Sequence, residues 1–90
     1  MAKLPWKPDY AVSPGLTLQE TIDSQGLDQA ELALRSGLSA QHIRQIMDGV
    51  APITHDTATR LERATGVPAR MWNNLESLYQ EQQASLADQV

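Results

Sequence analysis

The amino-acid sequence predicts an all-α fold of five helices. Apolar residues recur every three or four positions through most of the chain, whereas the strict alternation that is typical of strands is absent. Glycine, proline and the capping residues Ser, Thr and Asp stand between these apolar segments, where helices end and begin. The chain has 90 residues, enough for one domain with a modest core.

The N-terminal residues predict an arm followed by the first helix. Residues 1–13, MAKLPWKPDYAVS, contain two prolines and show no helical period, which favours an extended segment. A Pro-Gly pair then opens a helix expected over residues 16–25. Leu18 and Ile22 lie one turn apart on its inner face.

Capping residues mark the starts of the next three helices. Asp28, Ser39 and Thr54 each precede a segment with a helical apolar period. A side-chain oxygen at such a position accepts a hydrogen bond from a backbone amide in the first turn. Glu31 follows Asp28 at the spacing of a capping box. Pro68 is expected at the first position of the fifth helix, where its missing N–H is not needed.

Glycines and a change to polar composition mark the ends of these helices. The residues expected to close a helix are Gly26, Gly37, Gly49 and Gly66. The positions expected to face the core in the third and fourth helices are Ile43, Ile46, Met47, Ala58, Leu61 and Thr65. We divide the chain into the arm, a domain over residues 14–80 and a polar tail over residues 81–90 that frays.

The composition limits the classes of function and partner. The chain carries 11 Asp and Glu against 7 Lys and Arg, and this net charge of −4 weakens non-specific attraction to nucleic acid and suits a basic protein partner. The absence of cysteine excludes disulfides and thiolate metal sites and is typical of a reducing compartment. No apolar run has the length of a membrane span, and no secretory signal is evident. We expect a cytoplasmic protein.

Neither catalysis nor a cofactor is expected from the residue pattern. His42 and His55 are the two histidines, and they lie on different predicted helices without the neighbouring carboxylates of a metal site. The carboxylates serve as caps and surface charges, and no nucleophile lies near a base at a motif spacing. A binding protein is therefore expected rather than an enzyme.

Residues 27–49, LDQAELALRSGLSAQHIRQIMDG, predict two short helices joined at Gly37, the arrangement of a helix-turn-helix. The polar side of the second helix of this pair carries Gln41, His42, Arg44, Gln45 and Asp48. Glutamine pairs with adenine and arginine with guanine in the major groove. By this pattern alone, DNA recognition and a small helical bundle unrelated to DNA are equal alternatives.

The same stretch resembles the helix-turn-helix of phage-repressor-like (XRE-type) regulators. The wider run, from about residue 13 to residue 80, is similar to the HigA group of antitoxins. The segments PG, APIT and LERATGVPARMWNNLE are the distinguishing parts of that similarity. The resemblance implies a five-helix phage-repressor-like fold and a homodimer that binds a palindromic operator in its own promoter. It also implies neutralisation of a basic, RNA-cleaving toxin encoded beside it.

The resemblance further implies which residues contact DNA. In the docking mode of the family, Gln29 and Ser39 bind phosphates, and Arg35 is a further phosphate candidate. The base-reading residues are Ala40, Gln41, Arg44 and Gln45 by the resemblance, with His42 added from its place on the polar side. We expect the two recognition helices of a dimer to lie about 34–36 Å apart, one turn of DNA.

Two residues depart from the pattern of the family. Val50 stands where a lysine often follows the helix-ending glycine, and Asp48 stands where asparagine is usual. Both weaken the electrostatic part of DNA binding, so we expect weak, salt-sensitive binding by a monomer. Arg60 is a candidate contact to the DNA backbone. The alternatives are a module that mainly sequesters a basic partner, or the DNA-binding part of a longer regulator.

An apolar stripe on the fifth helix predicts a dimer interface. Trp72 and Met71 are either core residues that pack the fifth helix onto the fourth or part of this interface. We favour Met71 and Leu75 turned inwards, with Leu78, Tyr79 and Trp72 at a two-fold contact, because the stripe is longer than the core needs. As an interface, the stripe continues through Leu75 to Leu78 and Tyr79. The assigned interface is therefore Trp72, Leu75, Leu78 and Tyr79.

The arm and two leucines have open interpretations. The aromatic residues of the arm could cover the bundle, Lys3 and Lys7 could enter a minor groove, or the arm could dock on a toxin. Leu16 and Leu34 are either isolated surface residues or contacts for a partner protein.

Overall fold

A computed structural model describes the backbone of residues 13–88 and the side chains of residues 13–85. Five α-helices follow one another in this part of the chain, and no strand occurs among the described residues. The helices are α1 (Pro14–Gln25), α2 (Gln29–Ser36), α3 (Ala40–Met47), α4 (His55–Thr65) and α5 (Ala69–Asp88). The predicted all-α fold is confirmed.

The three predicted N-caps form as expected. The side chain of Asp28 accepts a hydrogen bond from the Glu31 amide at 2.8 Å. Ser39 Oγ accepts one from the His42 amide at 3.0 Å, and Thr54 Oγ1 caps α4 in the same way. Each bond joins residues three positions apart, so the sequence alone sets these helix starts.

The core lies between α4 and the other helices. α4 packs against α1, α2 and α5, and α3 packs against α1 and α2. The largest fully buried side chains are Leu18, Ile22, Leu32, Ile43, Ile46, Leu61 and Trp72. Of the positions expected to face the core in α3 and α4, Met47 is half-buried and the others are buried.

α5 differs from its predicted form at both ends. It begins at Ala69, with Pro68 just before the first helical residue, and the carboxylate of Glu62 accepts the Ala69 amide at 3.0 Å. At its other end it stays helical through Asp88, so the helix continues past Tyr79 into the polar tail.

Two residues of α5 have the opposite exposure to the one predicted. Trp72, assigned to the dimer interface, is fully buried, whereas Met71, expected to face inwards, is 52% exposed. Burying the larger aromatic side chain removes more apolar surface from water, so tryptophan takes the inner position. The assignment of Trp72 to a surface contact is therefore wrong.

Other predictions concern the termini and the membrane. The arm, including Lys3 and Lys7, lies outside the described residues except for Ser13. Within the described part of the chain, none of the helices combines the length and apolarity that crossing a membrane requires.

Candidate nucleic-acid interface

One side of α3 is polar and faces solvent. The exposed residues on this side are Ala40, Gln41, Arg44, Gln45 and Asp48. They lie together because residues one, three and four positions apart share a side of a helix with 3.6 residues per turn. His42 is half-buried, at the edge of this side. The structure thus brings the predicted base-reading residues together.

The opposite side of α3 is anchored in the core. Ile43 is fully buried and Ile46 is 2% exposed. Burial of each side chain contributes about 1.5–3 kcal/mol relative to exposure. Rotation of α3 about its axis would expose these residues, and the orientation of the polar side is therefore set by the core.

The start of α1 sets the position of the C-terminal end of α3. Gly15 is buried, and a β-carbon at this position would overlap the carbonyl oxygen of Ile46 and lie 2.7 Å from the Cα of Met47. Only glycine allows two backbones to approach this closely. The sequence predicted a helix-opening role for this glycine, but its contact with α3 is visible only in the fold.

The two predicted phosphate-binding residues at helix starts already make contacts within the chain. Gln29 Nε2 lies 3.2 Å from the sulfur of Met47, which leaves one amide hydrogen for another acceptor. Ser39 Oγ accepts the His42 amide and keeps its own hydroxyl hydrogen to donate. Both side chains can therefore still donate to a phosphate, and these roles stay predictions.

The charges near the polar side of α3 nearly cancel. Arg44 and Asp48 are one cation and one anion on this side. Arg35 on α2 pairs with Glu31 at 3.5 Å, so a phosphate would compete with this carboxylate. Val50, just after α3, is 74% exposed and carries no charge. Hydrogen bonding, rather than net charge, is what this surface offers to a nucleic acid.

The joint between α2 and α3 is closed by several hydrogen bonds. Gly37 has a φ of 79°, in the left-handed region, and its amide donates to the Ala33 carbonyl at 2.9 Å. The Leu38 amide donates to Ser36 Oγ at 3.1 Å. Arg60 Nη1 donates to the Ser36 carbonyl at 3.3 Å. Arg60, expected on the DNA backbone, is thus engaged within the chain.

The loop after α3 is held by residues that the sequence did not indicate. The amides of Val50 and Ala51 donate to the Gln45 carbonyl at 2.8 and 3.1 Å. The Ile53 amide donates to the carboxylate of Glu76 on α5 at 3.0 Å. Glu76 is 23 positions away in sequence, so no local pattern could have indicated this contact.

The predicted dimer interface on α5 is partly exposed. Leu78 is 54% exposed and Leu75 is partly buried against the core. Tyr79 is half-buried beside the turn after α3, where a β-carbon at Gly49 would lie 3.5 Å from its hydroxyl oxygen. With Met71 exposed, the apolar side of α5 consists of Met71, Leu75 and Leu78.

The histidines do not assemble a metal site in the described part of the chain. No group of three or more His, Asp or Glu side chains there is placed to hold a metal ion. His42 lies on α3 and His55 begins α4. The described residues instead form an exposed polar surface built on the helix pair α2–α3.

Comparison with protein families gives a match that includes the helix pair α2–α3 and the helices around it. The model of a helix-turn-helix family (HTH_3) matches residues 18–72, from the first turns of α1 into α5. A comparison with curated protein sequences finds no match.

Several solved structures are similar to this chain. The Pseudomonas aeruginosa antitoxin HigA with the higBA promoter is 30% identical, with a TM-score of 0.80 over 88% of this chain and 87% of that chain. A putative antidote protein of a plasmid maintenance system from Nostoc punctiforme is 29% identical, with a TM-score of 0.81 over 88% and 87%. A Pseudomonas aeruginosa protein in complex with its operator DNA (28 bp) is 29% identical, with a TM-score of 0.81 over 88% of each chain. The similarity therefore covers the five-helix unit and not the helix pair alone.

Proposed function

We propose a function from the premise that this chain belongs to the helix-turn-helix family (HTH_3) whose model matches residues 18–72. It is a DNA-binding transcriptional repressor and a HigA-type antitoxin of a toxin-antitoxin operon. Similar proteins whose structures contain promoter or operator DNA support this function. The repressor acts at its operator, so we place it in the cytoplasm at the nucleoid.

The observation that carries this function is the polar side of α3. Gln41, Arg44 and Gln45 are exposed on this side, and Ile43 and Ile46 on the opposite side of the helix are buried in the core. Side chains of this kind, held on a rigid helix, can read adenine and guanine in the major groove. Binding by the repressor dimer then occludes the promoter.

We propose that the repressor binds as a homodimer through α5. Met71 and Leu78 are about half exposed, at 52% and 54%, and Leu75 lies between them on the same side of the helix. Residues four and three positions apart align along a helix, so the three form one apolar stripe. A two-fold contact between two such stripes would remove them from water.

The toxin partner is proposed to be a basic, RNA-cleaving protein. The net charge of −4 favours association with a cationic protein. The exposed acidic residues of α1, of α2 and at the N-cap of α2 are Glu20, Asp23, Glu31 and Asp28. Their charge attracts such a partner at a distance, while DNA is met by the polar side of α3.

Operator binding tests the role of α3. We expect Arg44→Ala and Gln45→Ala each to weaken binding to the promoter of the operon by about 1–3 kcal/mol and to relax preference at one base position. Arg63→Ala is the control, because Arg63 is exposed in the last turn of α4. Fluorescence anisotropy at a stated salt concentration measures the affinities. Unchanged affinity and preference in both α3 variants would contradict the assignment.

Sedimentation velocity tests the dimer. We expect Leu78→Glu to convert a concentration-dependent dimer into a monomer, because a charge would be buried in the two-fold contact. The matched control is Leu34→Glu, since Leu34 on α2 is 83% exposed and outside the stripe. If both variants dissociate the dimer to the same extent, or if neither does, α5 does not form the interface.

Asp48 and Val50 favour a second candidate, a sequestering module with weak DNA binding. Asp48 repels phosphate from the polar side of α3, and Val50 offers no cation at the end of that helix. A gel shift on the promoter at physiological salt, with and without the product of the neighbouring gene, separates the two candidates. Absence of a shift in both conditions would favour sequestration.

A further inference from the structure

The joint between α2 and α3 has a support from outside the helix pair. α2 ends at Ser36, so no later amide of the helix donates a hydrogen bond to the Ser36 carbonyl. The Nη1 atom of Arg60, on α4, donates to this carbonyl at 3.3 Å. The cation also lies at the negative end of the α2 dipole, which stabilises it there.

Arg60 is itself held in place on α4. Its Nε donates to Asp56 Oδ2 at 2.9 Å, and the two residues are four positions apart on one helix. The guanidinium therefore makes one contact with its own helix and one with the end of α2. Its planar fork suits two such contacts better than the amine of lysine does.

Gly37 lies next to the guanidinium in the joint. A β-carbon at this position would lie 2.8 Å from Arg60 Nη1, at the end of a flexible side chain. The φ of 79° is in the left-handed region and is the stronger reason for a glycine here. The short distance shows that Arg60 reaches the backbone of the joint itself.

We propose that Arg60 is a positioning residue for DNA recognition, which ties α4 to the α2–α3 joint and so sets the angle at which α3 meets the major groove. It acts through the joint, because Asp56 and the Ser36 carbonyl accept its Nε–H and one Nη1–H, and the salt dependence of binding tests whether its remaining N–H groups contact phosphate. This inference rests on the proposed DNA-binding function. A small rotation at the joint displaces every base-reading side chain on α3 together.

The test compares Arg60→Gln and Arg60→Lys with Arg63→Gln. Arg63 is one turn further along α4 and exposed, and so is a matched charge control. Affinity for the operator and for unrelated DNA is measured over a series of salt concentrations. A phosphate contact contributes about 0.9 to the slope of log affinity against log salt, whereas a positioning residue contributes none.

Both Arg60 variants are expected to lose operator affinity by roughly fivefold or more, the loss that one misaligned base contact causes. Their salt slope and their binding to unrelated DNA should match the wild type. Arg63→Gln should keep the operator preference over unrelated DNA. The proposal is overturned if Arg60→Lys binds the operator like the wild type, or if Arg60→Gln lowers the salt slope and weakens binding to all DNA equally.

A second measurement needs no DNA. Hydrogen exchange of the Leu38 amide, which donates to Ser36 Oγ in the joint, should be faster in Arg60→Gln than in the wild type and unchanged in Arg63→Gln. Unchanged exchange in Arg60→Gln would overturn the support of the joint. If the wild type fails to bind the operator, the proposed function fails, while the exchange result still decides whether Arg60 holds the joint.

Discussion

The outer sides of α3 and α5 differ in chemistry although both helices cover the same core. α3 buries Ile43 and Ile46 and presents glutamines and an arginine to solvent. α5 buries Trp72, yet Met71 and Leu78 on its other side remain about half exposed. One outer side can therefore form hydrogen bonds with a polar partner, and the other can bury apolar surface against a protein.

Under the proposed function, this difference separates DNA binding by α3 from dimerisation through α5 within one small domain. The polar side of α3 gains little from hydrophobic burial and depends on the geometry of its side chains. Binding through the apolar stripe of α5 would depend on the apolar area buried, because the hydrophobic effect is not directional. We therefore expect substitutions at α3 to change sequence preference, and substitutions at α5 to change assembly.

Trp72→Ala should break the inner side of α5 and cause the largest loss of stability. Removing a large aromatic side chain from a packed core costs about 3–5 kcal/mol, and Trp72 is fully buried. Met71→Ala, one residue away but 52% exposed, should cost less than about 1 kcal/mol. Urea unfolding followed by circular dichroism measures both values.

Trp72→Phe keeps this comparison measurable if the alanine variant does not fold. The indole N–H of Trp72 is buried with no hydrogen-bond partner among the described residues, so phenylalanine removes an unsatisfied group as well as volume. We expect its loss to fall between those of the two alanine variants. A cost for Met71→Ala equal to that for Trp72→Ala would show that the two sides of α5 are assigned wrongly.

Gly15→Ala should show how strongly the polar side of α3 depends on its support. The added β-carbon would overlap the backbone of Ile46 and Met47, and such overpacking typically costs about 1–3 kcal/mol. α3 must shift away from α1 to relieve the overlap, so operator binding should weaken as well. Thermal unfolding and operator affinity are the two measurements.

Gly26→Ala is the matched control for that substitution. Gly26 has a φ of 73° but open space around a β-carbon, so alanine there costs the strain of a left-handed residue, about 1–2 kcal/mol, without moving α3. Its operator affinity, measured well below its unfolding temperature, should match the wild type. Equal losses of affinity would mean that lower stability alone explains the effect of Gly15→Ala.

Val50→Lys should produce the smallest change, a gain in affinity at the α3 side. Val50 is 74% exposed, so a lysine there can reach a phosphate at little cost in stability. We expect the slope of log affinity against log salt to steepen by about 0.9, the contribution of one phosphate contact. Leu34→Lys is the control, because it makes the same change in net charge on α2. If it increases the affinity by the same amount, net charge and not a phosphate contact at position 50 explains the gain.

Much of the fold was predictable because its signals are local. Asp28, Ser39 and Thr54 cap their helices through bonds to residues three positions ahead. Gly37 and Gly66 close helices in the left-handed conformation that few other residues adopt. The polar side of α3 was equally predictable, because Ile43, Ile46 and Met47 form a single apolar stripe and leave only one side for solvent.

α5 was harder to predict because two apolar stripes overlap on it. Met71, Leu75 and Leu78 fit a helical period, and so do Trp72, Leu75 and Tyr79. Periodicity cannot choose between them. Packing of α5 against α4 and α1 places Trp72 on the inner side, where it is fully buried.

The sequence by itself determined where three of the helices, α2, α3 and α4, begin and which side of α3 is polar. Only the tertiary structure decided that Gly15 meets the end of α3, that Arg60 supports the α2–α3 joint and that Glu76 holds the loop after α3. The physical reason is the range of the interactions. Caps and stripes depend on neighbours within one turn, whereas these contacts join residues brought together by packing of the whole core.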